Sequence, residues 1–194
     1  MKQLCTYIVT EDTGLAPNPF WGWCTLAVCT PNHQNAQLNR GDWIAGFLNA
    51  TRDHKFLYAM EIEEPLLMKE YFCDSRFEKK KPNLRGNWKD RCGDNFYEQR
   101  QDGAWMQHRN RFHPGEKFLK KDTRYPKVFF ASRFWYFGQS CKPVPQRYAE
   151  LIGGRGIRTK HASVLSTDFM HWVEKSFSPG VHDVPNDNPD MAKV

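Results

Sequence analysis

Phe134-Trp135-Tyr136-Phe137 closes the most apolar stretch of the chain, Lys127 to Gly138, and this run limits the possible folds more than any other feature. Along an extended strand, successive side chains point to opposite faces, so Phe134 and Tyr136 face away from Trp135 and Phe137. Both faces then need cover. One pair belongs to a core, and the other meets a ligand or a covering helix. The 194 residues suffice for one domain, which should bury roughly 70% of the surface that the unfolded chain exposes. At 40% hydrophobic and 14% aromatic, the chain is too rich in core formers for disorder, and much of its apolar volume is aromatic.

Around that strand the sequence predicts six others. Leu4 to Thr10 and Trp23 to Thr30 read as strands, the second ended by Pro31-Asn32. Arg40-Gly41-Asp42 is a turn signal before a strand from Trp43 to Leu48. Lys55 to Glu63 pairs with it as a hairpin that sets Phe56, Tyr58, Met60 and Ile62 on one face. Gln101-Asp102-Gly103 marks a second hairpin between Asp94 to Gln99 and Ala104 to His108. Helical signals cover Leu66 to Phe72, Pro145 to Ile152, and Ser166 to Lys175, where Ser166 caps the first turn. Arg109 to Pro126 reads as a polar basic loop, and residues 179–194 as a mobile tail. About seven strands and three short helices without repeats predict a single α+β domain over residues 1–178. Its centre is a curved, mainly antiparallel sheet or small barrel.

Charge points to a polyanion. The net charge is +6, and the excess is local: seven cationic and two anionic side chains between Arg76 and Arg91, eight and two between Arg109 and Arg133. Phosphates bind such stretches while exposed rings stack on bases. The alternative is a solvated face that keeps the protein soluble. No apolar run approaches the roughly 20 residues of a membrane span, and Met1-Lys2-Gln3-Leu4 lacks a secretory apolar stretch, so the expectation is a cytoplasmic protein with no membrane partner. The six cysteines are then expected to be reduced. Cys5, Cys24 and Cys29 look like small buried hydrophobes, and the spacing of His108 and His113 offers no metal site. No Gly-x-Gly-x-x-Gly or Walker-type loop occurs, and no cofactor is expected.

Three segments could carry chemistry. The first is the loop from Thr10 to Cys24. There Phe20, Trp21 or Trp23 would stack a planar ring, with Tyr136 joining from the aromatic strand, and Thr10, Asp12 and Asn18 would contact the ring's polar edge. The structural alternative makes the rings core plugs and Asp12 an Asx turn. The second is Lys120 to Pro126, where Arg124 either pairs with Asp122 or, with Lys121, faces a phosphate. The third is the Gly-rich stretch after Ile152, whose Arg155 and Arg158 could grip phosphates, as could Arg76 in the earlier basic stretch. Asp12 and His161 are the candidate catalytic groups, without a visible partner for either. Glu11 and Asp12 point apart if extended and make a poor dyad.

Tyr7-Ile8-Val9-Thr10-Glu11-Asp12-Thr13-Gly14, Pro17-Asn18-Pro19-Phe20, Cys24 to Pro31, Gly41 to Gly46, Lys121-Asp122-Thr123-Arg124 and Phe134 to Gly138 together resemble the second family of nucleotide modification associated domains. The resemblance implies a phage or bacterial setting that handles modified DNA, and no particular reaction. More loosely, Leu38 to Phe47 followed by Leu57 to Ile62 is similar to the Gly-Asp hairpin of PUA-like barrels such as EVE and YTH-type domains, which hold a modified base in an aromatic pocket. That likeness implies that Asp42 closes the turn. The leading expectation is a binder of nucleic acid or a nucleotide that prefers a modified base. The rivals are an enzyme acting on a nucleotide or base, and an interaction or anti-defence module with a protein partner.

Overall fold

The computed structural model describes residues 2–29, 36–154 and 156–191. β1 (Leu4–Val9) lies parallel to β3 (Trp43–Leu48), which pairs antiparallel with β4 (Phe56–Glu61). β2 (Cys24–Leu26), β5 (Glu64–Leu67) and β8 (Lys127–Ala131) form a second sheet in the order β2-β8-β5, antiparallel throughout. β9 (Phe134–Tyr136) returns to the first sheet. That sheet is completed at its edges by β10 (Ile157–Arg158) and β11 (Gly180–Val181), in the order β10-β1-β3-β4-β9-β11. β6 (Tyr97–Gln99) and β7 (Trp105–Gln107) make the hairpin predicted around Asp102-Gly103. The chain is thus a small α+β domain of mixed and antiparallel sheets. Among the described residues these sheets stay open and do not close into a PUA-like barrel.

The aromatic run shows why the layers stack as they do. Phe134 and Tyr136 enter the core between the two sheets, with Cys5, Tyr7, Ile44, Met60 and Phe129. Trp135 and Phe137 enter the opposite core, covered by α4 (Ser163–Ser176) through Phe169, Met170 and Val173. Trp135 stacks on Trp43 at 5.1 Å and donates from its indole nitrogen to the Phe177 carbonyl at 3.0 Å. A third core lies on the outer face of β2-β8-β5. There Val128 and Phe130 meet Met68 and Tyr71 of α1 (Met68–Cys73), Phe77, and Phe96 and Tyr97 at the start of the hairpin; the one-turn α2 (Trp88–Arg91) lies between Phe77 and the hairpin in sequence.

Four local readings are corrected. Lys127 to Gly138 is two strands in different sheets. The chain turns out at exposed Ser132 and Arg133, where Glu63 accepts from the Ser132 hydroxyl at 2.6 Å and Arg133 pairs with Glu61 and Glu174. Phe56 does not share a face with Tyr58 and Met60. The β3–β4 register slips at Gly46/Phe47, so Leu57 and Tyr58 both enter the inter-sheet core while Phe56 packs under α4. α4 begins at Ser163, and Ser166 sits inside it with its hydroxyl donating to the Ala162 carbonyl at 3.2 Å. The loop from Arg109 holds α3 (Glu116–Asp122), whose few apolar residues gave no clear 3.6-residue pattern.

Of the segment read as a mobile tail, residues 179–191 are tied into the fold, and 192–194 lie outside the described residues. Gly180–Val181 pairs with β9, the Gln139 amide donates to the Val184 carbonyl at 2.9 Å, and Asn188 is buried. Asp42, as expected of a turn closer, accepts from the Asn39 amide and ties the turn to the Gln3 amide, both at 2.8 Å.

Gly46 tests the inter-sheet packing. A Cβ there would stand 2.4 Å from the Tyr58 ring and 2.8 Å from a Val9 methyl, both held between sheets. Gly46→Ala is expected to lower stability by about 1–3 kcal/mol, read from the urea midpoint, and an unchanged midpoint would refute this packing.

Candidate functional site

The loop after β1 divides two hollows. One is polar, about 330 Å³, and opens at the C-terminal end of β1. Thr10, Glu11 and Thr13 line it, Cys29 comes from the end of the β2 segment, and His113, Phe118 and Lys121 come from α3 and the turn before it. The other is a shallower, more apolar groove of about 540 Å³ between Phe20, Trp21, Lys89 and the Phe134 and Val181 edges of β9 and β11. Both fall in or above the lower range of small-ligand sites.

Most of the residues expected to contact a base are held by the protein itself. Asp12 is fully buried. Its carboxylate accepts from the Tyr136 hydroxyl at 2.7 Å and from the amide and side chain of Asn186, both at 2.9 Å, while its own amide donates to Asp187 at 2.8 Å. Arg52 completes this latch by pairing with Asp187. Burial pushes the Asp12 carboxyl up despite these donors, and it pushes the Tyr136 phenol up as well. Tyr136 therefore offers no face to a ligand, and Asp12 joins the C-terminal segment to the body.

Asn18 is spent in the same way. Its side-chain amide donates to the Cys92 carbonyl at 2.8 Å, and its Oδ1 accepts from Lys80 at 2.7 Å. The ammonium of Lys80, with 1% of the residue exposed, also donates to the carbonyls of Asn18 and Trp23, each at 2.8 Å. Trp23 packs edge-on against Phe77 and Phe130, and Phe20 is 4% exposed. Trp21 and Trp23 are both partly exposed, but Trp23 packs on the third core while the Trp21 ring borders the apolar groove, with Lys80 5.6 Å from its centroid.

The expected phosphate ligands separate. Lys121 is exposed on the rim of the polar cavity. Arg124 is exposed over the Tyr125 ring and does not pair with Asp122. Arg76 is taken up by Asp74 and Glu64. Arg158 donates to the Ile152 carbonyl and, with His161, lines a separate hollow of about 320 Å³ at the β10 edge of the first sheet. His161 lies 3.1 Å from both the Thr6 hydroxyl and the Arg158 carbonyl, and burial lowers its pKa. Arg155 lies outside the described residues.

Sequence reasoning missed a polar cluster at the inner end of the polar cavity. Cys29 Sγ lies 3.2 Å from His113 Nε2, and His113 Nδ1 lies 2.5 Å from Asp122 Oδ2. Tyr97 donates its hydroxyl to the same carboxylate oxygen at 2.9 Å, whereas the buried Asp122 Oδ1 finds no partner among the described residues. The His113 ring stacks on Phe118 at 4.4 Å, and its amide donates to Asn110 Oδ1 at 2.7 Å, so its position is fixed from several sides. The thiol and the carboxylate occupy opposite nitrogens of one imidazole and do not converge on a point where a metal could sit. Among the described residues there is no group of three metal-ligating side chains so arranged. The signal in the sequence was faint: Cys29 and Asp122 both fall within the segments that carry the family resemblance, but His113 does not.

Fold and site together define a small α+β domain whose characteristic segments gather round a polar cavity at the end of its first strand. The chain belongs to the nucleotide modification associated domain 2 family, which it matches over residues 1–192. No curated protein and no solved structure matches it. No helix among the described residues is long and apolar enough to cross a membrane.

Lys80 supplies a test of the buried clamp behind Trp21. Burial lowers its pKa from 10.5 to about 8, against the pull of Asp94. Between these values the unfolded chain holds more protons than the folded one, so stability rises with pH across that window. Relative to Lys80→Met, the wild-type protein is expected to gain up to about 3 kcal/mol between pH 8 and 10.5 in urea unfolding. A constant difference would show that the ammonium is not desolvated.

Proposed function

We propose that the protein binds a nucleotide, or a nucleobase presented by a nucleic acid, in the polar cavity at the end of β1, with preference for a modified base. One observation carries this reading. The segments that resemble the family, Tyr7 to Glu11 with Thr13, Cys29 and Lys121, are distant in sequence yet meet at one opening. Lys121 supplies a positive charge at the rim for a phosphate, and Thr10 and Glu11 supply donor and acceptor atoms for a polar ring edge. The family's nucleotide-modification setting agrees with that chemistry.

Mononucleotides carrying plain and modified bases, titrated by calorimetry, test the proposal. Lys121→Glu is expected to weaken binding about tenfold, ~1.4 kcal/mol, and to lessen the salt dependence, because one phosphate contact is lost. A variant that keeps both the wild-type affinity and the wild-type salt dependence would move the phosphate elsewhere. If no nucleotide or modified DNA binds, the proposal fails.

A second reading is favoured by the half-exposed Trp21 ring in the apolar groove with Lys89 at its side. There a nucleic-acid strand would stack one base outside the polar cavity. Stacking contributes about 1–3 kcal/mol per base, so Trp21→Ala should weaken single-stranded DNA by about tenfold while leaving mononucleotide binding unchanged. Loss of both affinities together would place a single ligand across the loop.

A further inference from the structure

We propose that Cys29 is a nucleophile, that His113 is its general base, and that Asp122 is the residue that positions and charges that base. The claim about the thiol stands on geometry alone. The claim that its target is a nucleotide rests on the binding reading above.

Cys29, His113 and Asp122 form one hydrogen-bonded line, with the thiol at the cavity end and the carboxylate buried at the other. The network assigns the tautomer. Nδ1–H donates to Asp122, which leaves the Nε2 lone pair to accept the Sγ proton. Two features have no evident structural use. Cys29 holds φ at 80°, a left-handed conformation that a side chain with a Cβ seldom adopts. Among the described residues Asp122 Oδ1 is buried without a donor, beside the imidazole that Oδ2 holds. Backbone strain and unpaired buried groups tend to persist where a function needs them.

The other charged and titratable groups around the pair are Tyr97 behind Asp122, Tyr7 on β1, Glu11 and Lys121 at the opening, and Asp94 deeper in the core. Burial pushes the Cys29 thiol up to about 12, with the anionic neighbours adding to the effect. The resting group is therefore the neutral thiol, and its proton leaves only as a bond to carbon forms.

The chemistry that fits is addition to an unsaturated carbon conjugated to a carbonyl, the electrophile that a pyrimidine ring presents. The sulfur pair forms the S–C bond, the ring π pair moves out to the carbonyl oxygen, and the Sγ proton passes to His113 Nε2. Expulsion of the thiol reverses every shift, so no oxidant, reductant or further reactant is needed. His113 is the proton carrier in both directions.

Iodoacetamide serves as the probe. In this reaction the S–C bond forms, iodide leaves with the C–I pair, and the proton goes to His113. Labelling is followed site by site by mass spectrometry between pH 5.5 and 9.5, with the exposed Cys73 as an internal reference. An unassisted thiol reacts about tenfold faster per pH unit below its pKa, because only the thiolate attacks.

Cys29 is expected to reach its plateau at a lower pH than Cys73, because the base and not the thiolate fraction then limits its rate. In His113→Gln the Cys29 rate should fall at least tenfold at pH 7 and regain the steep climb. In Asp122→Asn the plateau should fall while the Cys73 profile stays put. The wild-type profile decides the matter even if a variant misfolds. A Cys29 rate that climbs in step with Cys73, or no labelling of Cys29 at any pH, overturns the proposal.

A nucleotide bound in the cavity should slow Cys29 labelling and leave Cys73 unchanged. If His113-dependent labelling is present but no nucleotide slows it, the thiol assignment stands and the nucleotide reading of the cavity falls. If nucleotides bind and the pH plateau is absent, the binding reading stands and the nucleophile falls.

Discussion

Two-sided burial of β9 is the constraint on which the rest of the structure depends. Phe134 and Tyr136 can leave water only if a second sheet faces the first, and Trp135 and Phe137 only if α4 covers its back. Each such ring removes on the order of 150–250 Å² from water, a gain large enough to fix the order of the layers. The polar break at Ser132-Arg133 then does topological work. It lets one apolar run serve β8 in one sheet and β9 in the other, a short crossing between the sheets like that of Ile62-Glu63 from β4 to β5.

A core this rich in aromatics has few places for polar groups, and the chain pairs those it does bury. Asp12 receives Tyr136 and Asn186, and Lys80 finds three carbonyl-type oxygens. Asp94 accepts from Tyr71 at 2.7 Å and from Thr25 at 2.6 Å. These pairings join distant parts of the chain: the first loop to the last dozen residues, and the 3-10 turn of residues 75–80 to the loop before β2. A buried group left without its partner costs about 1–3 kcal/mol, more if charged, so each latch specifies where its segment must lie.

That economy explains which parts of the fold were legible in the sequence. β1, β3 and the Asp102-Gly103 hairpin follow from side-chain periodicity and turn chemistry, which are local. The alternation of Phe134 to Phe137 was correct for the same reason. The bulge at Gly46/Phe47 is set by pairing between strands, so Phe56 was put on the wrong face. The C-terminal segment looks mobile by composition, yet Asn186, Asp187 and Asn188 have partners more than 170 residues earlier. The site suffered most. Asp12, Asn18 and Tyr136 have the chemistry of ligand contacts, but the same donors and acceptors satisfy one another inside, and no local rule tells the two uses apart.

Cys29, His113 and Asp122 were illegible for the complementary reason, since the line they form spans 84 residues and then nine. Its energetics set it apart from the latches. Asp12, Asp94 and Lys80 have the oxygens and hydrogens that their charges require, whereas one oxygen of Asp122 finds no donor among the described residues and Cys29 holds a backbone conformation that costs about 1–3 kcal/mol. A merely structural cluster could relieve both: a glycine at position 29 would remove the conformational penalty, and an asparagine at 122 the unmatched charge. Glycine would remove the thiol, however, and asparagine would remove the anion that holds and charges the imidazole. The two tolerated costs fall on the two ends of one proton path, and a path that moves a proton is what they would serve.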